Sequence, residues 1–272
     1  MTIAVAGHNG RLGKWLVDHH GCVPIRADIL FPEIIMQEVE RIKPNVIINC
    51  AAFTDVDGAE EERFKDLALK INTRGPANLR RAFFGLFVQL STGFVFPGEK
   101  GPYKEEDHRE PVNWYGWTKF GGEEAALMRD PTLVVRVLDL YTQDHARGDF
   151  VRSMRDCLEL GIEKELPDYL YKTPTYVPHL AEGIMAAIDK GVTGFLHIAG
   201  NRTMSTLEWG KMIAEKFGYD PELLKPGKIQ GQAARPLRGG LSVEKARTFD
   251  IPIYSPEDGL NALAEWESAD VE

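Results

Sequence analysis

Short apolar runs alternate with amphipathic segments along the first half of the chain. The runs that we predict as buried strands cover residues 3–6, 22–26, 44–52, 86–90 and 133–138. The segments between them carry apolar residues at helical spacing. Such alternation is typical of a parallel sheet with helices on both faces. We therefore predict an α/β fold built on a doubly wound parallel sheet.

Three glycines follow the first strand at once, in the order Gly7, Gly10 and Gly13. Gly-x-x-Gly-x-x-Gly between a strand and a helix permits a tight turn and a close approach of backbone to a pyrophosphate. The N-terminus of the following helix adds N–H groups and a positive dipole end. We predict that this loop binds a dinucleotide.

The second strand ends at Arg26, where a site selective for NAD usually carries an acidic residue. A guanidinium there, with Arg11 from the glycine loop, would suit a 2′-phosphate. We expect NADP(H) to be favoured over NAD(H), although the nearby Asp28 leaves the alternative open.

A hydroxyl, a phenol and an ammonium are expected to meet near the fourth strand. Thr92 stands where that strand should end, and Asn113 can cap a helix that carries Tyr115 and Lys119 four residues apart. Ligands of open α/β sheets bind at the carboxyl ends of strands. We predict a proton-transfer site in which Lys119 lowers the pKa of Tyr115.

Beyond residue 140 the alternation loosens. A helix over 178–189 and a strand over 194–200 lead us to expect that about residues 176–200 pack onto a dinucleotide-binding domain of residues 1–140. Residues 141–175 and 201–272 are predicted to form a smaller, partly interleaved substrate-binding region. Ser205 and Glu208 predict a capping box at the start of one of its helices.

Composition and net charge limit the classes of partner that we expect the protein to bind. The 272 residues carry a net charge of −9, which gives no general attraction to nucleic acid or anionic membranes. No apolar run approaches the roughly 18 residues that span a bilayer. Because Met1 leads straight into the first predicted strand, we expect no signal peptide. Three widely spaced cysteines fit neither a disulfide framework nor a metal motif. We expect a cytoplasmic protein without a metal; the oligomeric state stays open, with a homodimer as one alternative.

The ordered motifs resemble the extended short-chain dehydrogenases/reductases, and most closely the dTDP-4-dehydrorhamnose reductases. The closer match rests on four segments over nearly the whole chain, which are Asn49-x-Ala51-Ala52-x-Thr54-x-Val56-Asp57-x-Ala59-Glu60, Ser91-Thr92-x-x-Val95-Phe96-x-Gly98, Tyr115-Gly116-x-Thr118-Lys119-x-x-Gly122-Glu123, and Arg235-Pro236.

The resemblance implies a Rossmann-like fold and the reduction of a nucleotide-linked 4-keto-6-deoxysugar. Thr92 would hold the substrate carbonyl, Tyr115 would donate the proton, and Lys119 would grip the nicotinamide ribose. Hydride would come from the nicotinamide. The expected cofactor-binding residues are Gly7, Asn9, Gly10, Arg11, Leu12, Gly13, Arg26, Asp28, Ala51, Ala52, Asn72 and Lys119. The expected substrate-binding residues are Thr54, Phe94, Asp139 and Arg235.

Some sugar-facing positions depart from the family pattern. Gly93 and Phe94 stand where the family usually has Asp and Tyr, and Leu138-Asp139 stands where it has Ser-Trp. Two alternatives therefore stay open. One is a nucleotide-sugar epimerase or dehydratase, although dehydratases need an acid/base pair that Gly93-Phe94 lacks. The other is a non-catalytic, NADP-binding regulatory subunit.

Overall fold

The computed structural model describes residues 1–143 and 148–269. Its strands are β1 (Ile3–Ala6), β2 (Val23–Ile25), β3 (Val46–Asn49), β4 (Leu86–Thr92), β5 (Thr132–Val137), β6 (Leu140–Tyr141), β7 (Lys164–Leu166), β8 (Tyr171–Lys172), β9 (Thr175–Tyr176), β10 (Gly194–His197), β11 (Met204–Ser205) and β12 (Leu224–Pro226). Its α-helices are α1 (Arg11–His20), α2 (Pro32–Ile42), α3 (Glu62–Leu69), α4 (Gly75–Ala82), α5 (Trp114–Ala126), α6 (Phe150–Glu159), α7 (Val177–Asp189), α8 (Thr206–Phe217), α9 (Glu244–Thr248) and α10 (Pro256–Ala269).

Six parallel strands form the central sheet, in the order β2-β1-β3-β4-β5-β10. From β1 the chain moves outward to β2 and then returns to the other side of β1 with β3. This reversal is a topological switch point, where the carboxyl ends of strands leave a crevice for a ligand. The predicted doubly wound parallel sheet is confirmed.

The sheet is buried on both faces, because helices cover each side. One apolar core joins alternate strand residues to α1 and α7, and a second joins the intervening residues to α2 and α4. Strands β1 and β3 are buried at every position, which explains their continuous apolar runs.

The segment over residues 62–82 is helical throughout. Helix α3 continues through a π-helical turn, Lys70–Arg74, into α4 without leaving helical dihedral angles. Such π turns widen a helix locally and often occur at functional sites. Here the turn contains Asn72, which is buried.

A separate apolar core lies beyond the sheet, built mainly from α6, α8 and α10 around the buried Trp209. The predicted capping box is confirmed, since Ser205 and Glu208 each bond the other's backbone N–H. At the edge of the sheet, β10 pairs with β5, and α7 packs on α1.

The division into a cofactor domain and a substrate-binding region stays a prediction. Part of the second region, residues 144–147 and 270–272, lies outside the described residues. Among the described helices, none is long and apolar enough to cross a bilayer.

Candidate active site

A cleft opens at the switch point between β1 and β3. The residues lining it come from the glycine loop, from the ends of β3, β4 and β5, and from α5; they are Gly10, Arg11, Leu12, Gly13, Cys50, Ala52, Thr54, Leu90, Ser91, Tyr115, Lys119, Val137 and Leu140. Chain segments far apart in sequence thus converge on one crevice.

The three glycines of the loop differ in how strongly the structure excludes a side chain at each position. Gly7 has a φ of 77°, and a Cβ there would lie 2.4 Å from the backbone N of Ala51. A Cβ on Gly13 would lie 2.3 Å from the Gly7 carbonyl oxygen. Gly10 has an ordinary φ of −79°, and its nearest obstacle, the same carbonyl, is 3.3 Å away. The fold therefore requires glycine at positions 7 and 13. Gly10 instead lines the cleft, where the absence of a side chain leaves space.

Helix α1 directs its N-terminus at this cleft, with Gly10 as its N-cap and no side chain capping it. Uncapped N–H groups and the dipole favour an anion such as a pyrophosphate. Small side chains at Ala51 and Ala52 leave room across the cleft. These residues fit a dinucleotide.

The hydroxyl, the phenol and the ammonium are brought together. The Asn113 side chain accepts a hydrogen bond from Gly116 N at 2.7 Å and so starts α5. This places Tyr115 in the first turn, where it hydrogen bonds to Thr92 at the end of β4. One turn later, Lys119 Nζ donates to the Leu90 carbonyl at 2.7 Å.

Burial dominates the electrostatics of the trio. It raises the pKa of Tyr115 to about 12, against the lowering effect of the hydrogen bond to Thr92. Burial also lowers the pKa of Lys119 to about 8, opposed by the charge of Glu123. The expectation that Lys119 lowers the pKa of Tyr115 was wrong, because the ammonium is directed to the Leu90 carbonyl and a buried phenolate is poorly solvated. Tyr115 is consequently held as a protonated phenol, a proton donor.

The remaining predicted cofactor residues lie at different depths. Asn9 is exposed on the glycine loop, and Arg11 donates from Nη2 to the Gly148 carbonyl at 2.5 Å. Arg26 and Asp28 are exposed after β2, and Asp28 accepts a hydrogen bond from Leu30 N within a turn.

Asn72 is enclosed rather than presented to the cleft. Its amide bonds both backbone groups of Phe53 and donates to the Thr118 hydroxyl at 2.9 Å. The side chain thereby joins the segment after β3 to helix α5, which carries the trio.

The predicted substrate residues have separate surroundings. Thr54 is exposed and lines the cleft. The Phe94 ring meets the Tyr115 ring edge-on, with centroids 5.6 Å apart. Asp139, at a φ of 49°, forms an ion pair of 2.5 Å with Lys172.

Arg235 makes an ion pair of 2.6 Å with Asp57 and also donates to the Ala233 carbonyl. Asp57 further accepts from the backbone N–H groups of Gln232 and Ala233. These contacts hold the segment around residue 235 against the loop that follows β3.

Three charged residues beneath the trio were not predicted from the sequence to have a role; they are Arg109, Glu123 and Arg136. Glu123 lies on the same face of α5 as Lys119, one turn further on, and that spacing was a usable signal. Arg136 interrupts an otherwise apolar strand, and a buried cation requires a partner. Among the described residues, no group of three or more His, Cys, Asp or Glu side chains could hold a metal ion.

Comparison with known proteins agrees with this geometry. The sequence profile of the RmlD substrate binding domain family matches residues 1–266. A dTDP-4-dehydrorhamnose reductase of Mycobacterium tuberculosis H37Rv is 34% identical over 236 residues, covering 83% of this chain and 74% of that protein. The rat methionine adenosyltransferase 2 subunit beta is 30% identical over 247 residues, covering 85% of this chain and 72% of that protein.

Solved structures extend the likeness to nearly the whole chain. The dTDP-4-dehydrorhamnose reductase of Bacillus anthracis, in complex with NADP, superposes with a TM-score of 0.89 at 29% identity, covering 97% of this chain and 99% of that one. The family match, the shared fold and the converged trio lead to one conclusion. The chain belongs to the RmlD substrate binding domain family, within the extended short-chain dehydrogenases/reductases.

Proposed function

We propose that this protein reduces a nucleotide-linked 4-keto-6-deoxysugar with NADPH, in the manner of a dTDP-4-dehydrorhamnose reductase. The observation that carries the proposal is the hydrogen-bonded pair of Thr92 and Tyr115, with Lys119 one turn below, in a cleft that fits a dinucleotide. Relatives that are named dTDP-4-dehydrorhamnose reductase support this class of substrate.

Each member of the trio has a separate task. When bound, a reduced nicotinamide supplies hydride to the keto carbon. Thr92 orients the substrate carbonyl, and Tyr115 gives its phenolic proton to the carbonyl oxygen as negative charge develops there. Burial keeps that proton on Tyr115 until it is needed. Lys119 would hold the nicotinamide ribose through its ammonium group.

The direct test is an assay of NADPH oxidation with dTDP-4-keto-6-deoxy sugars as substrates. Turnover would support the proposal. A protein that binds NADPH without turning over any such sugar would favour a second candidate, a non-catalytic subunit. The 30% identity with methionine adenosyltransferase 2 subunit beta is the observation that favours this candidate. The intact trio argues against it.

A preference for NADP(H) over NAD(H) is the finer part of the proposal. It is supported by the guanidinium of Arg26 after β2 and by the NADP held by the Bacillus anthracis relative. A cytoplasmic location is likewise proposed, from the free cysteines Cys22, Cys50 and Cys157.

Arg26→Ala is expected to weaken NADPH binding about tenfold and NADH binding hardly at all, because only NADPH carries the 2′-phosphate that a guanidinium would pair. Fluorescence titration of both cofactors measures the two dissociation constants. Arg247→Ala, which removes an exposed guanidinium from α9, is the control. An equal loss for both cofactors would refute the assignment of Arg26.

Gly10→Ala is expected to leave folding almost unchanged but to weaken NADPH binding by tenfold or more, because the added methyl group enters the cofactor's side of the cleft. Gly7→Ala should instead destabilise the whole protein, since its φ of 77° and its contact with Ala51 exclude a side chain. Thermal unfolding and NADPH titration of both variants separate the two effects. Normal NADPH affinity in Gly10→Ala would contradict the placement of the cofactor.

A further inference from the structure

Helix α5 is attached to the end of β4 by side chains spaced one helical turn apart. Below Tyr115, Lys119 Nζ donates to the Leu90 carbonyl at 2.7 Å. One turn further, Glu123 Oε1 accepts a hydrogen bond from the Ser91 hydroxyl at 2.5 Å. Successive positions on one helix face thus meet successive residues of the strand that carries the reaction centre.

The Glu123 carboxylate joins more than the helix and β4. It is completely buried, and Arg136 of β5 donates to its two oxygens from Nε at 2.8 Å and Nη2 at 2.9 Å. Arg109 Nη1 donates to Oε2 at 2.9 Å. Arg136 is also the register partner of Ser91 in the sheet. A single carboxylate therefore fixes α5 against two neighbouring strands and one loop.

We propose that Glu123 is a positioning residue for the reaction. It sets the register of α5 on β4, and its negative charge keeps Lys119 in the ammonium form that holds the cofactor ribose. The cofactor part of this inference rests on the proposed NADPH site, whereas the effect of Glu123 on Lys119 does not.

The charge balance around Lys119 is sensitive to this carboxylate. Burial lowers the pKa of Lys119 to about 8, while the negative charge of Glu123 raises it. Burial raises the pKa of Tyr115 to about 12, so this phenol stays neutral through the range in which Lys119 titrates. The pKa of Cys50 is raised as well, which keeps its thiol neutral.

The charged groups paired with Glu123 are two cations, Arg136 and Arg109. Arg136 is completely buried, and Arg109 is 24% exposed and also pairs with the exposed Glu124 at 2.8 Å. Behind Arg136 lies His197, whose pKa is lowered to about 3 by burial and by the guanidinium, so that it is neutral. Neutralising Glu123 would therefore leave Lys119 near uncompensated positive charge.

The test is the titration of Lys119 in the full-length protein. The Cε resonance of isotope-labelled lysine, assigned with Lys119→Met, reports its pKa without any ligand, and the pH dependence of NADPH affinity reports the consequence. We expect a midpoint near pH 8 in the wild-type protein. Glu123→Gln should move both midpoints down by about one pH unit, because an anion that favours the ammonium is lost.

Arg109→Met supplies the second variant, since its side chain is partly exposed and its loss is easier to accommodate. Removing this cation should move the Lys119 midpoint upward. A merely structural role for Glu123 would not give shifts of opposite sign in the two variants. Glu124→Gln, which alters an adjacent carboxylate that also pairs with Arg109, is the matched control and should leave the midpoint within a few tenths of a unit.

Failure of Glu123→Gln to fold leaves Arg109→Met to decide the proposal. An unchanged Lys119 midpoint in every variant that folds would overturn it, and so would an equal shift in Glu124→Gln. A wild-type protein with the expected Lys119 titration but without affinity for NADPH would contradict the proposed function and leave the effect of Glu123 on Lys119 standing.

Discussion

Tyr115→Phe is expected to reduce the turnover number by about 1,000-fold or more while leaving NADPH affinity unchanged. The substitution removes the hydroxyl that donates the proton, a step worth roughly 100- to 10,000-fold in general acid catalysis. The ring itself stays, so its edge-on contact with Phe94 and its burial are preserved. Steady-state turnover at saturating substrate, together with fluorescence titration of NADPH, separates the chemical step from cofactor binding.

Tyr141→Phe is the matched control for that variant. Tyr141 is 1% exposed, and its hydroxyl donates to the Pro256 carbonyl at 3.4 Å, in the apolar core beyond the sheet. Its loss should leave turnover within about twofold of the wild-type value. If Tyr115→Phe retained a tenth of the activity or more, proton donation would have to be assigned to another group, and Thr92 would be the first to examine.

The strands and the glycine loop were predictable because local sequence determines them. Strands β1 and β3 are continuous apolar runs because both faces of the sheet are buried. Gly7 provides the positive φ that the turn between a strand and a helix needs, and this strand–turn–helix context can be identified in the sequence. Asn113 could be identified as the cap of α5 for the same reason, since a cap bonds within three residues of itself.

What the sequence could not provide depends on contacts between distant segments. The spacing of Tyr115 and Lys119 indicates that they share a helix face, but not where the ammonium points. The prediction that Lys119 lowers the pKa of Tyr115 was wrong because the ammonium group of Lys119 donates to the Leu90 carbonyl. The pairing of Arg235 with Asp57 likewise joins residues far apart in sequence, and no local pattern foretells it.

The partner of Asp139, at the sugar-facing side, is a further contact that the sequence could not reveal. The sequence marks Asp139 as a departure from the family pattern, and only the structure shows Lys172 beside it at 2.5 Å. The charged pair of Asp139 and Lys172 follows the end of β5, two residues beyond the register partner of Thr92. The identity of the preferred sugar is therefore the property least accessible from sequence.

Arg136→Met is expected to lower the free energy of unfolding by about 3–5 kcal/mol, the largest effect on stability that we predict for a single substitution. Methionine can fill the space, but it leaves the completely buried Glu123 without its bidentate partner. The partly exposed Arg109 is then its remaining cation, and a poorly compensated buried charge is costly. Denaturant unfolding measures the loss. The double variant Arg136→Met with Glu123→Leu should recover most of it, because an apolar pair of similar volume carries no charge to desolvate.

Arg202→Met provides the contrast for that result. It breaks an ion pair with Glu257 whose side chains are 51% and 44% exposed, and such pairs contribute no more than about 1 kcal/mol. If both single variants lost stability equally, or if the double variant were no more stable than Arg136→Met, the cost would lie in packing rather than in the unpaired carboxylate. A recovered double variant that still binds NADPH weakly would show that the carboxylate serves Lys119 beyond its part in folding.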